Sequence, residues 1–127
     1  MDIDPHSPRG TASDSLMTQI DRTNVLAVRN ELQFQAEQMQ VALRRARDDC
    51  VVRPCGGDLV SRDAALSFGR KVEQIIAVHT AHLHEIIEAV GRLTETAHHY
   101  GYTEEAITAS LDAARPRLTA RLHEYRA

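Results

Sequence analysis

The sequence is poor in the residues that interrupt helices or build aromatic clusters. It has no tryptophan, two phenylalanines and three tyrosines, and only four prolines and six glycines occur in its 127 residues. Alanine, leucine, glutamate, glutamine and arginine dominate instead, and all of these favour helix. The apolar fraction of 43% is enough for a core of one domain, either its own or shared with a partner. We therefore expect an all-α protein.

The chain also lacks a strong charge and a long apolar run. Its formal net charge of −3, with the histidines neutral, gives no general electrostatic case for binding nucleic acid or an anionic membrane. No apolar run approaches the roughly 18 residues that a transmembrane helix needs. The opening segment, MDIDPHSPRGTASDS, is polar and acidic where a signal peptide would be basic and then apolar. We expect no membrane insertion and, if the protein leaves the cell, leaderless export.

Only two cysteines are present, Cys50 and Cys55, both in one Gly/Pro-containing segment. Their spacing fits neither a redox Cys-x-x-Cys pair nor a four-ligand zinc site. A disulfide between them would close a short loop, which the chain-entropy model values at roughly 2 kcal/mol. The sequence leaves a disulfide open but favours two unpaired thiols.

The N-terminal part of the chain divides into an arm and a first helix. Residues 1–20 contain Pro5, Pro8 and Gly10 and show no apolar period, so we predict a disordered arm. Steps of three and four then predict a helix from about Val25 to the next Gly/Pro segment. The apolar stripe of this first helix consists of Val25, Val28, Leu32, Ala36, Met39, Leu43, Ala46 and Cys50.

A turn and a very long second helix follow. In VVRPCGGD, at residues 51–58, Pro54 ends the first helix and the glycines permit a turn, while Asp58 or Ser61 can cap the next helix. The short loop predicts antiparallel neighbouring helices. The second helix, from about Leu59 to His99, would be about 60 Å long.

The second helix carries a heptad seam, which suits long helices that cross at a shallow angle. The seam residues are Val72, Ile76, His79, Leu83, Ile86, Val90, Leu93, Ala97 and Tyr100. Further residues beside the seam widen the stripe, namely Phe68, Ile75, Val78, His82 and Ile87. One shorter neighbouring helix cannot cover a stripe of this width.

A third amphipathic segment begins after Gly101. Gly101 and Thr103 predict a helix stop and a new N-cap, and Glu104 and Glu105 fall in the first turn, where the helix dipole favours anions. Pro116 predicts a kink or a restart. The stripe of this segment is Ile107, Leu111, Ala114, Leu118, Leu122 and Tyr125. The expected architecture is an antiparallel hairpin at residues 21–100 and a C-terminal helix at 101–127, which complete a four-helix bundle with a partner.

No motif in the sequence argues for catalysis or a cofactor. His79, His82 and His84 cannot converge on one ion, because His84 lies about 200° around the helix from His82. Glu95-x-x-His98 matches half of a di-iron pattern that needs two copies. There is no nucleophile elbow and no Gly-rich phosphate loop. We expect no metal and no cofactor, and we do not expect an enzyme.

Two of the amphipathic segments carry clusters of basic residues, for which the sequence allows two interpretations. Arginines occur at Arg44, Arg45 and Arg47, and again at Arg115, Arg117, Arg121 and Arg126. Contact with phosphate is one reading. Acidic residues accompany both clusters, so solvated helix faces are the preferred reading, and no nucleic acid partner is expected.

The hairpin and the residues after it resemble the substrates of type VII (ESX) secretion in actinobacteria, most closely the PE family. Tyr100-Gly-Tyr-Thr-Glu104 matches that family's Tyr-x-x-x-Asp/Glu secretion signal, and GGDLVSRDAALSF is similar to the opening of its second helix. Phe68 lies 32 positions before Tyr100, as in the family. Val28-Arg-Asn-Glu31-Leu32 resembles the opening of its first helix, with Asn30 in place of the family's proline.

This resemblance, over about residues 25–105, implies a non-enzymatic substrate or targeting subunit. The family pairs with a PPE partner in a four-helix bundle, so we expect a PPE-like or WXG-like helical partner, or a second copy of the chain. The hairpin loop holds no Trp, so a partner would supply its own Trp-x-Gly. Recognition by a secretion ATPase would involve Tyr100 and Glu104. The protein would be cytoplasmic before export and secreted or at the cell surface afterwards.

The apolar stripes of both hairpin helices would then form the partner interface. The residues expected there are Val28, Leu32, Met39, Leu43, Phe68, Val72, Ile76, Leu83, Ile86, Val90 and Leu93. The alternative is an intracellular helical dimer or adaptor in which the third segment completes the bundle and the tyrosines only pack. A metal-binding His/Glu bundle ranks last.

Overall fold

A computed structural model describes residues 10–51 and 53–126. Every regular element in these ranges is a helix: α1 (Gly10–Thr18), α2 (Val25–Asp49), α3 (Leu59–His99) and α4 (Glu104–Arg126). The predicted all-α class is confirmed, and α2, α3 and α4 are the three predicted amphipathic helices. At 41 residues, α3 is the long second arm of the hairpin. No described helix has the length and apolar content that crossing a bilayer requires.

Side-chain caps fix where the helices begin. The Ser61 amide and hydroxyl donate to the Asp58 carboxylate at 3.1 and 2.8 Å just before α3, and these bonds lower the pKa of Asp58. At the start of α4, the Ala106 amide donates to the Thr103 hydroxyl at 3.1 Å. The structure thus confirms Thr103 as an N-cap and selects Asp58 from the two predicted caps of α3.

The start of α2 has a reciprocal cap that the sequence analysis did not identify. The amides of Thr23 and Asn24 donate to the Asp21 carboxylate at 2.8 and 3.0 Å, and the Asp21 amide donates back to the Asn24 side chain at 2.8 Å. Hydrogen bonds from Thr23 lower the pKa of Asp21. The arrangement is a capping box with asparagine in the place of the usual Glu or Gln.

The joint between α3 and α4 is a Schellman turn. Gly101 has a φ of 95°, the Tyr102 amide donates to the Ala97 carbonyl at 3.0 Å, and the Gly101 amide donates to the His98 carbonyl at 2.9 Å. These are the two bonds that define the motif. Tyr102 and Ala97 also belong to one apolar cluster, as the motif's usual hydrophobic contact requires.

The chain divides into two compact units, Met1–Ala36 with Glu85–Ala127 and Glu37–His84. We call the first the core unit and the second the hairpin unit. The division crosses both α2 and α3. The core unit contains a buried cluster of Val25, Leu93, Ala97 and Ile107, which come from α2, α3 and α4. The C-terminal segment therefore folds onto the chain itself, and Leu118 further along α4 is also buried.

The predicted disordered arm is wrong for residues 10–20. Gly10–Thr18 forms α1, and Leu16, Met17 and Ile20 pack against the buried cluster of the core unit. An ion pair between Asp14 and Arg92 at 3.2 Å adds a polar contact. These apolar side chains cover part of the buried cluster of the core unit. The segment is too short to show an apolar period, so its sequence does not reveal the helix. Residues 1–9 of the predicted arm lie outside the described residues.

The hairpin unit consists of the second half of α2, the loop and the first half of α3. Leu43 and Leu83 are buried in it, and Arg47 donates to the Thr80 hydroxyl at 3.2 Å. Val72 and Ile76 are half-buried. The antiparallel hairpin is as predicted. Of the four predicted seam positions in this stretch of α3, Val72, Ile76, His79 and Leu83, only His79 is exposed.

Pro116 does not restart the C-terminal helix. α4 runs without a break from Glu104 to Arg126. Pro116 lacks the amide that would bond the Asp112 carbonyl one turn earlier, but both residues are exposed, so that side of the helix faces solvent. The predicted restart is wrong because the lost hydrogen bond falls where water can replace it.

Replacing Gly101 with alanine should destabilise the protein by about 1–2 kcal/mol, because only glycine adopts a positive φ without strain. Gly91→Ala is the matched control, since Gly91 lies inside α3 with no neighbouring atom within 4 Å of an added Cβ. That control should stabilise by about 0.5–1 kcal/mol. Urea unfolding followed by circular dichroism measures both changes. Equal effects of the two substitutions would contradict the Schellman joint.

Candidate functional site

One face of α3 is apolar and uncovered in the hairpin unit. Phe68, Ile75 and Val78 have side chains that are 63%, 58% and 67% exposed. They lie at steps of seven and three along the helix and so point to one side. With Lys71 and His82, which fall between and after them and are also exposed, they form what we call the open face.

The same register of α3 is buried at two positions in the core unit. Residues 18 apart on a helix are five turns apart and share a direction, so Phe68 corresponds to Ile86 and Ile75 to Leu93. Ile86 and Leu93 are 7% and 0% exposed. The register of Phe68 and Ile75 is therefore uncovered in the hairpin unit and buried in the core unit, where Ile87, beside the seam, is 43% exposed. The sequence's indication that one neighbouring helix cannot cover the stripe is confirmed at Phe68, Ile75 and Val78.

The predicted partner interface needs correction at nearly half of its positions. Five of its eleven residues are at most 9% exposed and are covered by the chain itself: Leu43, Leu83, Ile86, Val90 and Leu93. Five more are half-buried: Val28, Leu32, Met39, Val72 and Ile76. Phe68 alone of the eleven is exposed, and Ile75 and Val78, which the predicted interface omits, are its exposed neighbours. The sequence signal that could have added Ile75 and Val78 to the predicted interface was their position beside the heptad seam.

The second candidate site is the α3–α4 joint, where the predicted secretion signal lies. Tyr100 is half-buried and packs against the apolar cluster of the core unit, as does Tyr102. The Tyr102 hydroxyl donates to the Arg22 carbonyl at 3.1 Å. Because α3 ends at His99 and α4 begins at Glu104, Tyr100 and Glu104 do not share one helix face. The two residues lie on either side of a turn, with Glu104 exposed.

His98 ties this joint together. Its Nδ1 lies 3.0 Å from the Tyr102 carbonyl oxygen, and its Nε2 lies 2.8 Å from a carboxylate oxygen of Glu104. Both partners are acceptors when Glu104 is ionised, so only the doubly protonated imidazolium donates to both at once. Glu104, the acidic residue of the predicted signal, is thereby held against the end of α3.

Polar side chains connect three helices inside the core unit. Asn30, only 2% exposed, donates to the Ser110 hydroxyl of α4 at 2.9 Å, and the neighbouring Arg29 donates to the Thr94 hydroxyl of α3 at 2.8 Å. Burial lowers the pKa of Arg29, while the Glu104 carboxylate acts in the opposite direction. Asn30 thus has a structural role that the sequence did not reveal.

The hairpin unit also contains a groove between the end of α2 and the first half of α3. Its volume is about 1080 Å³, and a smaller cavity of about 320 Å³ adjoins it. Arg47, Thr80 and His84 line both spaces. Cys50 lies at one end of the groove, and both Cys50 and Cys55 are exposed free thiols.

The histidines of α3 do not gather with acidic residues or cysteines into a metal site within the described ranges, since no group of three or more such ligands occurs there. His79, His82 and His84 are exposed, and His98 is bound to Glu104. His84 also lines the groove between α2 and α3.

Comparison with known proteins adds no family assignment. No family model, no curated protein and no solved structure matches the chain.

Asn30→Ala should destabilise the core unit by about 1–2 kcal/mol, because it leaves the partly buried Ser110 hydroxyl without its partner. Ser110→Ala removes the other half of the pair, and the double variant completes a cycle. Urea unfolding should give a coupling energy of about 1 kcal/mol between the two positions. Strict additivity would show that the bond contributes nothing to stability.

Proposed function

We propose that this chain is a non-enzymatic subunit of a type VII (ESX) secretion system, exported folded as a helical bundle with a PPE-like or WXG-like partner. The observation that carries the proposal is the open face of α3. The sequence motifs of the chain link it to secretion, and the geometry of the open face links it to a helical partner.

The open face supports pairing with a helix. Exposed apolar side chains in one continuous row mark interaction surfaces more often than scattered ones do. Phe68, Ile75 and Val78 lie seven and three residues apart on one side of α3, where an opposing helix can pack its own ridges against them. In the core unit the same row is covered by the chain itself, so the partner would extend a packing arrangement that this helix already uses. A second copy of the chain is the other occupant of this kind.

The joint supports an export signal whose two residues, Tyr100 and Glu104, lie on either side of a turn and not on one helix face. Glu104 is exposed and Tyr100 is half-buried, so a secretion ATPase would engage the Glu104 carboxylate first and then the accessible part of Tyr100. The protein would be cytoplasmic before export and secreted or at the cell surface afterwards.

One observation favours the alternative, an intracellular helical adaptor with no export role. Tyr100 and Tyr102 both pack against the buried cluster, and His98 holds Glu104. In that case the two tyrosines and Glu104 would serve only to join α3 to α4, and the open face would still bind a helical partner.

Glu104→Ala and His98→Ala separate these two functions. Both substitutions remove the 2.8 Å contact at the joint, but only the first removes the carboxylate of the signal. In a host with a type VII system, Glu104→Ala should lower export of the complex at least about tenfold, as loss of a charged recognition contact does. His98→Ala should leave export near the wild-type level, and Tyr100→Ala should block export while the complex still forms.

Export is measured by immunoblotting of culture medium and cell pellet. Complex formation is checked by whether the helical protein that co-purifies with the wild-type chain also co-purifies with each variant. Export of both Glu104→Ala and Tyr100→Ala at the wild-type level would show that the signal assignment is wrong. Equal losses for Glu104→Ala and His98→Ala would assign the effect to the joint and favour the adaptor.

Partner binding has its own pair of variants. Ile75→Asp places a charge in the centre of the open face and should abolish co-purification, because a carboxylate cannot be buried there without a partner. Arg62→Asp, at an exposed position on another side of α3, should leave co-purification intact. Binding that survives Ile75→Asp would contradict the open face as the interface.

A further inference from the structure

The groove of the hairpin unit has a floor of small residues. The small side chains that line it come from both helices: Ala46, Ala65, Gly69, Ala77 and Ala81. Small residues let a second backbone approach closely, so a helix fits into such a space better than a loop with long side chains. Leu66 and Ile76 provide larger apolar contacts along the same groove.

The rim of the groove is basic. Arg47 and Arg70 line the main space, Arg44 lines the adjoining one, and Glu73 is the one acidic residue that lines either space among the described residues. Arg47 bonds only to the neutral Thr80 hydroxyl, and no described carboxylate pairs with Arg44 or Arg70. Three cations around an apolar floor are therefore available to an outside ligand.

The groove and the open face are different surfaces of α3. Ala77 lies between Ile75 and Val78 in sequence, but the 100° step per residue turns it to the groove side. The open face carries Lys71 and His82 and no acidic residue. The open face of a second copy would therefore bring the wrong charge to a groove bordered by arginines.

We propose that this groove binds an amphipathic helix of another protein, one with carboxylates on both sides of a narrow stripe of apolar residues. The small floor would accept the stripe, and Arg44, Arg47 and Arg70 would pair with the carboxylates. This inference goes beyond the proposed export function, since it concerns a second surface and does not depend on secretion.

Two labelled peptides of about five helical turns test the charge preference. Both carry the same Ala/Leu stripe, flanked by glutamates in one and by lysines in the other, and fluorescence anisotropy measures their binding to the full chain. The glutamate peptide should bind at least about tenfold more tightly at low salt, and its affinity should fall as salt is added. Equal affinities of the two peptides would overturn the proposal.

Variants locate the binding site. Combined Arg47→Glu and Arg70→Glu should weaken the glutamate peptide at least about tenfold, whereas combined Arg53→Glu and Arg62→Glu, outside the groove, should change its affinity less than about twofold. Circular dichroism confirms that each variant is folded. Equal losses in the two pairs would reduce the effect to net charge and overturn the proposal.

Two further outcomes separate this inference from neighbouring ones. Ile75→Asp should leave binding of the glutamate peptide unchanged. Loss of peptide binding in this variant would place the peptide on the open face and would overturn the proposal. A concentration-dependent dimer that Arg47→Glu abolishes would place a second copy in the groove, which also overturns the proposal. Failure of export in the secretion assay has no bearing on either measurement.

Discussion

The fold depends on one mismatch, between the length of α3 and the amount of chain available to cover it. A helix of 41 residues carries a single wide apolar stripe, and burial of each large apolar side chain contributes about 1.5–3 kcal/mol. In the core unit the seam of this stripe is buried from Ile86 to Ala97, down to 0% exposure at Leu93 and Ala97, while Ile87 beside it is 43% exposed. In the hairpin unit the equivalent positions remain exposed, and this difference gives the molecule its candidate binding surface.

The joint and the polar contacts of the core unit determine how α4 packs over the apolar stripe of α3. Gly101 ends α3 through a Schellman turn, His98 links Tyr102 to Glu104 across it, and α4 then packs with Ile107 buried. Asn30 and Ser110 fix α4 against α2 through a partly buried hydrogen bond. The predicted export signal therefore overlaps with the turn that positions the C-terminal helix, which is why Tyr100 is half-buried and Glu104 is held.

Periodicity and caps made most of the helical architecture predictable. The seam, Gly101, Thr103 and the loop with Pro54 are local signals, and α3 has the predicted bounds. Residues 10–20 were missed because Leu16, Met17 and Ile20 are ordered by contacts distant in sequence. The interface prediction failed at Leu83 and Leu93 for the same reason, because a stripe does not reveal whether its cover belongs to the same chain. The groove arises only when the small residues of two helices meet.

Hydrogen exchange along α3 in the isolated chain tests the central claim most directly, since amide protection reports how strongly each part of a helix is held. The account predicts slow exchange for the amides of residues 85–99 and markedly faster exchange for those of residues 59–84, with the helical partner slowing the second set. Uniform protection of the whole of α3 in a monomeric sample would contradict the account, because the open face would then need no partner.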